Sequence, residues 1–282
     1  MRTTRSRLNK GFSLDDRLAA ASGAVEMNPA SRRGSWANWA PEGQESPLAF
    51  SHVVLDLGCG KGEYTAECAK QRPDVLFVGV EVDGVCVVRA ADRALAAGVT
   101  NAVFVLHDDS DLRGLFAPGE LDALLLNFPT PFPKKKKAPL RLTYATRLLA
   151  YRELLAPGAA VRLRTDSIPL RDFSLTQLEI AGYELQWCTD DVRSLFPDEP
   201  WSGYERKLVA QGAPVCGFSA VPGPEPASVE QTAPLSLVSY LPENLEELDY
   251  VPYGMQGCVA NMRGRIRNRK LKGLPDWERP VV

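Results

Sequence analysis

The chain has 282 residues, 45% hydrophobic and 24% charged, a balance that supports a full globular core and excludes a collagen, a coiled coil or a mainly disordered chain. Thirty-three basic residues against thirty-five acidic leave a net charge of -2, so no whole-molecule field draws nucleic acid and any such attraction must come from local patches. Six cysteines without a Cys-x-x-Cys pair, and only two histidines, His52 and His107, argue against a metal cluster and a disulfide framework. They point to buried free thiols in a reducing, cytoplasmic setting. No apolar run reaches the ~18 residues of a membrane helix.

From about residue 52 to 215, strand-length apolar runs alternate with helix-length segments, the pattern of parallel strands joined by crossover helices. The expected fold is therefore α/β: a doubly wound, mostly parallel, Rossmann-like sheet with helices on both faces. In chain order the spacing predicts strands over residues 53–57, 76–82, 102–106, 121–127 and 159–164, and helices over 63–71, 84–97, 143–155 and 169–181. Gly98 and the Pro157-Gly158 pair fall where helices should stop. Residues 183–215 read as two further strands around a loop rich in Pro, Asp and Trp. Beyond Gly217 the composition changes: from Leu208 to Met262 there is no Lys or Arg and only six carboxylates, and then six cations arrive between Arg263 and Lys272. The expected organisation is an N-terminal arm over 1–27, the main domain over 28–220, a loosely packed acidic linker over 221–262 and a basic extension over 263–282. The alternation of Arg263, Arg265, Arg267 and Arg269 around Gly264 and Asn268 makes a poor helix, suited to lying extended along phosphates or to remaining solvated.

The segment LDLGCGKGEY puts Gly58, Gly60 and Gly62 where the first strand turns into the first helix, so that backbone can pass close to a ligand beside a helix N-terminus. A dinucleotide-binding turn would carry glycine where this chain has Glu63, and a carboxylate there would face a pyrophosphate. The second strand ends at Glu81, about twenty residues on, where a carboxylate can accept both hydroxyls of a ribose. Asp108 and Asp109 end the third, placed to accept from an adenine amino group. Together these are the contact regions of S-adenosylmethionine in a doubly wound methyltransferase. Asp56, just before the glycines, is placed either for the methionine ammonium group or for the turn's own amides.

The fourth strand ends in NFPTPFPKKKK, and ligands in open parallel sheets bind beyond such carboxyl ends. Three prolines in five residues stiffen this loop, and no acid occurs between Asp122 and Glu153. Lys134, Lys135, Lys136, Lys137, Arg141, Arg147 and Arg152 are accordingly expected to form a basic face. Tyr204, Phe132 or Trp201 would either stack on an exposed base or belong to the core.

The ordered series Asn28-Pro29, Arg33-Gly34-Ser35-Trp36, LDLGCGKGEY, GVEVDGV, NFPTPFPKKKK, Arg141-Leu142-Thr143, Arg164-Thr165-Asp166 and Ser202-Gly203-Tyr204-Glu205 resembles the bacterial tRNA (guanine-N7)-methyltransferases. The resemblance implies methyl transfer from S-adenosylmethionine to guanine-46 in the variable loop of tRNA. It matches Asp56, Glu81 and Asp108 to cofactor-binding acids, and Lys134, Asp166, Ser202, Tyr204 and Glu205 to substrate-binding positions, with Asp166 also a candidate to aid catalysis. Where the family loop reads Asp-Pro-Trp-Pro-Lys, with the aspartate catalytic, this chain has Thr130 and Phe132; its basic run continues into Ala138, Pro139 and Leu140 rather than arginines. Two other functions fit the residues: an RNA-binding protein that lost turnover with the aspartate, and a methyltransferase acting on another amine or base.

Overall fold

The computed structural model describes residues 13–41, 50–108, 111–245 and 248–274. Its seven strands are β1 (His52–Leu57), β2 (Val75–Glu81), β3 (Ala102–Leu106), β4 (Leu121–Asn127), β5 (Leu155–Thr165), β6 (Tyr183–Thr189) and β7 (Cys216–Pro222). They form one sheet in the order β3-β2-β1-β4-β5-β7-β6. β1 pairs in parallel with β2 and β4, β2 in parallel with β3, and β6 antiparallel with β7. This is the dinucleotide-fold order with one strand, β7, inserted between the fifth and sixth. The order reverses between β1 and β4, and a ligand crevice is expected outside the carboxyl ends of those strands.

The helices are α1 (Leu14–Ala20), α2 (Glu63–Gln71), α3 (Gly84–Ala96), α4 (Ala145–Leu154), α5 (Ile168–Ile180), α6 (Val192–Leu195), α7 (Gly203–Val209) and α8 (Gln256–Leu271). Local chemistry sets several of their ends. Asp83 caps α3 by accepting from the amides of Val85 and Cys86, Ser167 caps α5 through the Leu170 amide, and Gly98 (φ 65) ends α3 as a left-handed residue should. α4 passes directly into β5 at Leu155, so Pro157 and Gly158 lie within the exposed start of that strand instead of stopping the helix.

Two compact units are distinguished. The first comprises residues 1–127, 150–162 and 198–203, the second 128–149, 163–197 and 204–282. In the first, α2, α3 and strands β1 to β3 share a core that includes Val54, Phe77, Val88, Ala90 and Phe104. Much of the expected N-terminal arm is built into it: Leu18 and Val25 join that core, and Val25 bridges to Phe104 beside β3. Trp36 is buried, its Nε1 donating to the Leu115 carbonyl at 2.9 Å, while Glu120 accepts from the amides of Gly34 and Trp36. The Arg33-Gly34-Ser35-Trp36 motif thus fastens this segment to its unit.

In the second unit the structure corrects three expectations. The last strand lies at Cys216–Pro222, beyond the region read as two strands, and α6 and α7 occupy the space before it. The acidic stretch is not a loosely packed arm: Leu237, Leu241, Leu245, Met255, Val259 and Met262 cluster with Leu170 and Phe173 of α5. The basic residues Arg263, Arg265, Arg267, Arg269 and Lys270 are not extended but lie in α8, with Lys272 just past its end; residues 275–282 of the expected extension lie outside the described residues. Arginine is a good helix former, and Val259, Met262 and Ile266 supply an apolar stripe that anchors the helix, which two-residue alternation of charge concealed. If this packing holds the segment, Leu241→Ala should destabilise the protein by about 2–5 kcal/mol in urea denaturation; a change below about 0.5 kcal/mol would mean that the segment is a solvated arm after all.

Candidate functional site

In the first unit, the turn from β1 to α2 carries three left-handed glycines: Gly58 (φ 79), Gly60 (φ 58) and Gly62 (φ 65). Their surroundings differ. A Cβ on Gly62 would lie 2.6 Å from Ala90 Cβ and 2.7 Å from the Phe104 ring, so this glycine lets the turn pack against α3 and β3. A Cβ on Gly58 or Gly60 would meet nothing within 4 Å, so these two present bare backbone to open space.

Two of the expected acids, Asp56 and Glu81, stand at that turn. Glu81 Oε2 accepts from the Gly60 amide at 3.0 Å, and Oε1 accepts from the amides of Val82 and Asp83 at 2.8 and 3.0 Å. The carboxylate therefore fastens the glycine turn to the end of β2 and still has one acceptor site, on Oε2, to offer. Asp56 is 1% exposed; Thr65 Oγ1 donates to its Oδ2 at 2.6 Å and Asn127 Nδ2 to its Oδ1 at 3.1 Å. Asp108 is exposed just beyond β3, its carbonyl accepting from His107 Nδ1; Asp109 lies outside the described residues. Burial, Asp56 and Glu81 push the Cys59 thiol well above its ordinary pKa, which leaves it protonated and unreactive within the turn. All six cysteines are free, but only Cys68 and Cys216 are fully buried and Cys188 is exposed. Ser202 adjoins Gly203, whose amide donates to Glu63 Oε2 at 2.6 Å, tying that segment to the first turn of α2.

In the second unit, the proline-rich loop holds two non-glycine residues in the left-handed region, Phe128 (φ 50) and Phe132 (φ 44), a strained conformation that its surroundings must impose. The Phe128 amide donates to the Arg164 carbonyl at 2.7 Å. Arg141, expected on a basic face, is instead fully buried: its Nε and Nη2 donate to the carbonyls of Pro131 and Phe132 at 3.0 and 2.7 Å, and its guanidinium sits 4.2 Å over the Phe173 ring. Desolvation lowers its pKa to about 10, which still leaves it charged at neutral pH. Lys134, Lys135, Lys136 and Lys137 are exposed, as is Thr130.

Asp166, at the end of β5, is 6% exposed. Its Oδ2 accepts from the Tyr250 hydroxyl at 2.7 Å and from the Tyr253 amide at 2.9 Å, partners that sequence reasoning had placed in a linker. Tyr204 is exposed, packed edge-on to Phe128 and to Tyr253. Its neighbour Glu205 is 1% exposed and held by Arg164 at 2.8 Å and Arg193 at 2.5 Å, so the Glu of the Tyr-Glu pair ties its own unit together.

Residues 51–217 match the model of a family described as "Putative methyltransferase". A tRNA (guanine-N(7)-)-methyltransferase from Geobacillus kaustophilus (strain HTA426) is 34% identical over 214 residues, 76% of this chain and 95% of that protein. The chain belongs to the tRNA (guanine-N7)-methyltransferase family. A second member, from Brevibacillus brevis, is 33% identical over 187 residues, covering 66% of this chain and 84% of its own. Among solved structures, the 16S rRNA methyltransferase KamB aligns with a TM-score of 0.50 over 62% of this chain and 89% of that one, at 18% identity, a likeness of fold.

The family's cofactor is S-adenosylmethionine, and the residues present fit it: open space in front of the Gly58 and Gly60 backbone, with carboxylates at the ends of β2 and β3. Among the described residues no cluster of His, Cys, Asp or Glu could hold a metal ion, and no helix is long and apolar enough to cross a membrane. The two turn glycines should separate stability from binding. Gly62→Ala adds a clash of about 1–3 kcal/mol to the left-handed strain of about 1–2 kcal/mol that Gly60→Ala bears alone. In paired urea denaturation and cofactor calorimetry, Gly62→Ala should be the less stable variant, while Gly60→Ala should stay folded and bind S-adenosylmethionine weakly.

Proposed function

We propose that this chain transfers the methyl group of S-adenosylmethionine to N7 of a guanine in tRNA, guanine-46 of the variable loop, in the cytoplasm. The observation that carries the reading is family membership along nearly the whole length of the Geobacillus relative. Six free cysteines fit a reducing compartment.

The cofactor supplies a methyl group on a sulfonium centre. On this reading Glu81 receives the ribose hydroxyls, Asp108 and Asp109 the adenine edge, and the Gly58–Gly60 backbone lets the cofactor close on the turn. Asp56, buried and tied to Thr65 and Asn127, is a positioning residue that sets the carboxyl ends of β1 and β4 together. Guanine N7, with an in-plane lone pair, would accept the methyl group: an N–CH3 bond would form as the S–CH3 bond gave its electron pair to sulfur, leaving the base cationic. No proton is lost, so no general base is needed, and alignment and electrostatics supply the catalysis. The stiff loop aligns the base, Lys134, Lys135 and Lys136 hold phosphates, and the Asp166 carboxylate favours the developing cation. Ser202 and Tyr204 complete the substrate positions, and exposed Arg265, Arg267 and Lys270 of α8, with Lys272 just past its end, add a second set of phosphate contacts.

Glu81→Ala removes charge-assisted hydrogen bonds worth about 1.5–3 kcal/mol each, so calorimetry on the folded variant should show cofactor affinity lowered at least tenfold. Unchanged affinity would detach Glu81 from the ribose.

The decisive assay is methyl transfer from labelled cofactor to bulk tRNA followed by nucleoside analysis, with 7-methylguanosine as the expected product. Thr130 offers a hydroxyl where the family carries a carboxylate. A full charge ~4 Å from the cationic base is worth about 4 kcal/mol at an effective dielectric of ~20, and the transition state realises only part of it. Thr130→Asp should therefore raise single-turnover methylation about tenfold. No methylated guanine from either protein would favour RNA binding without turnover; another methylated nucleoside would redirect the substrate.

A further inference from the structure

We propose that Tyr253, outside the stretch matched to the family model, is a substrate-positioning residue that stacks on a nucleobase of the RNA; this rests on the RNA-methyltransferase reading above. Three observations in the second unit carry it. First, the Tyr253 backbone is fixed: its amide donates to the buried Asp166 carboxylate, which the Tyr250 hydroxyl also engages. The next residue, Gly254 (φ 84), approaches the proline-rich loop so closely that a Cβ would lie 3.2 Å from Pro131 Cγ. Second, the ring is free: Tyr253 is 60% exposed and Tyr204 42%, although large aromatic rings are costly to leave in water.

Third, the rings are arranged as a corner. Tyr253 stands at 89° to Tyr204 with centroids 6.3 Å apart, and Tyr204 at 71° to Phe128 at 5.7 Å. A base stacked on one ring would meet the edge of the next, and the loop that bears Phe128 continues into the exposed run Lys134–Lys137, which suits the phosphates on either side of such a base. Single-stranded RNA is recognised by this pairing of aromatic platforms with cations. The anchor also explains why the chain spends an internal hydrogen-bonding carboxylate on this turn: Asp166 holds the platform's backbone and leaves its ring unencumbered.

The test is a series at Tyr253 read by tRNA binding, by KM and kcat for tRNA, and by cofactor calorimetry. Tyr253→Ala and Tyr253→Leu should each weaken tRNA binding and raise its KM roughly tenfold, with cofactor affinity and the urea midpoint unchanged. Tyr253→Phe and Tyr253→Trp, which keep a stacking face, should restore binding. Wild-type tRNA affinity in Tyr253→Ala, or rescue by leucine as complete as by phenylalanine, would overturn the proposal. Because binding is measured without turnover, a protein that binds tRNA through Tyr253 yet methylates nothing would refute the catalytic reading and leave this one standing.

Discussion

The closeness of the β1–α2 turn to α3 and β3 governs everything on the cofactor side of the molecule. With no Cβ tolerated at Gly62, the turn sinks onto Ala90 and Phe104, and only then does the Gly60 amide come within 3.0 Å of Glu81. One carboxylate thereby joins two successive βα turns through three backbone donors. Gly79, in the middle of β2, meets the same demand from below: a Cβ there would lie 2.7 Å from Phe104 and 2.8 Å from the Cys59 thiol. A fully buried parallel strand ordinarily favours branched side chains; this one gives up a position to let the turn settle.

The second unit relies on buried cations where the first relies on missing side chains. Arg141 lies over Phe173 and donates to two consecutive carbonyls of the proline-rich loop, a cost in desolvation offset by ring and carbonyl contacts. The left-handed Phe128 and Phe132 flank Pro129 and Pro131, and such strain persists only where surrounding structure over-determines it. Arg164 and Arg193 converge on Glu205 in the same manner. Removing one member of that trio would leave buried charge without its partner, which makes this group an anchor for α6 and α7.

Residues whose local pattern and tertiary role agreed were legible in the sequence. β3, β4 and α2 occupy the expected residues because apolar runs bounded by Gly, Asn or charge leave few other choices. The left-handed turn glycines, the place of Glu81 at the end of β2 and the exposure of Lys134 to Lys137 were equally plain as positions. Asp56 could be read as facing a ligand or as bonding the turn's own amides; its buried carboxylate accepts from the side chains of Thr65 and Asn127, partners to which no spacing rule points. Arg141 misled for a related reason: composition gives charge but not depth, and a buried ion with internal partners looks the same in sequence as a solvated one. The C-terminal stretch was misread because Pro, Gly and Glu dominate its composition, whereas Leu237, Leu241, Leu245 and Met255, spread among them, decide its packing.

The division of charge follows from the reaction. A cationic sulfonium cofactor favours acids at its site, whereas a polyanionic RNA disfavours them at its own, and a chain of net charge -2 can satisfy both only by segregation. Between Asp122 and Glu153 there is no acid, and from Gln256 to Leu271 α8 has none either; the acids Asp56, Glu81 and Asp108 belong to the first unit. In the second unit Asp166 and Glu205 are both buried with hydrogen-bonding partners, which limits the negative potential they present at its surface. Because guanine N7 asks for no proton transfer, selection on such a protein falls on where the base is held, and RNA affinity drawn from local cation clusters on a slightly acidic protein responds steeply to salt.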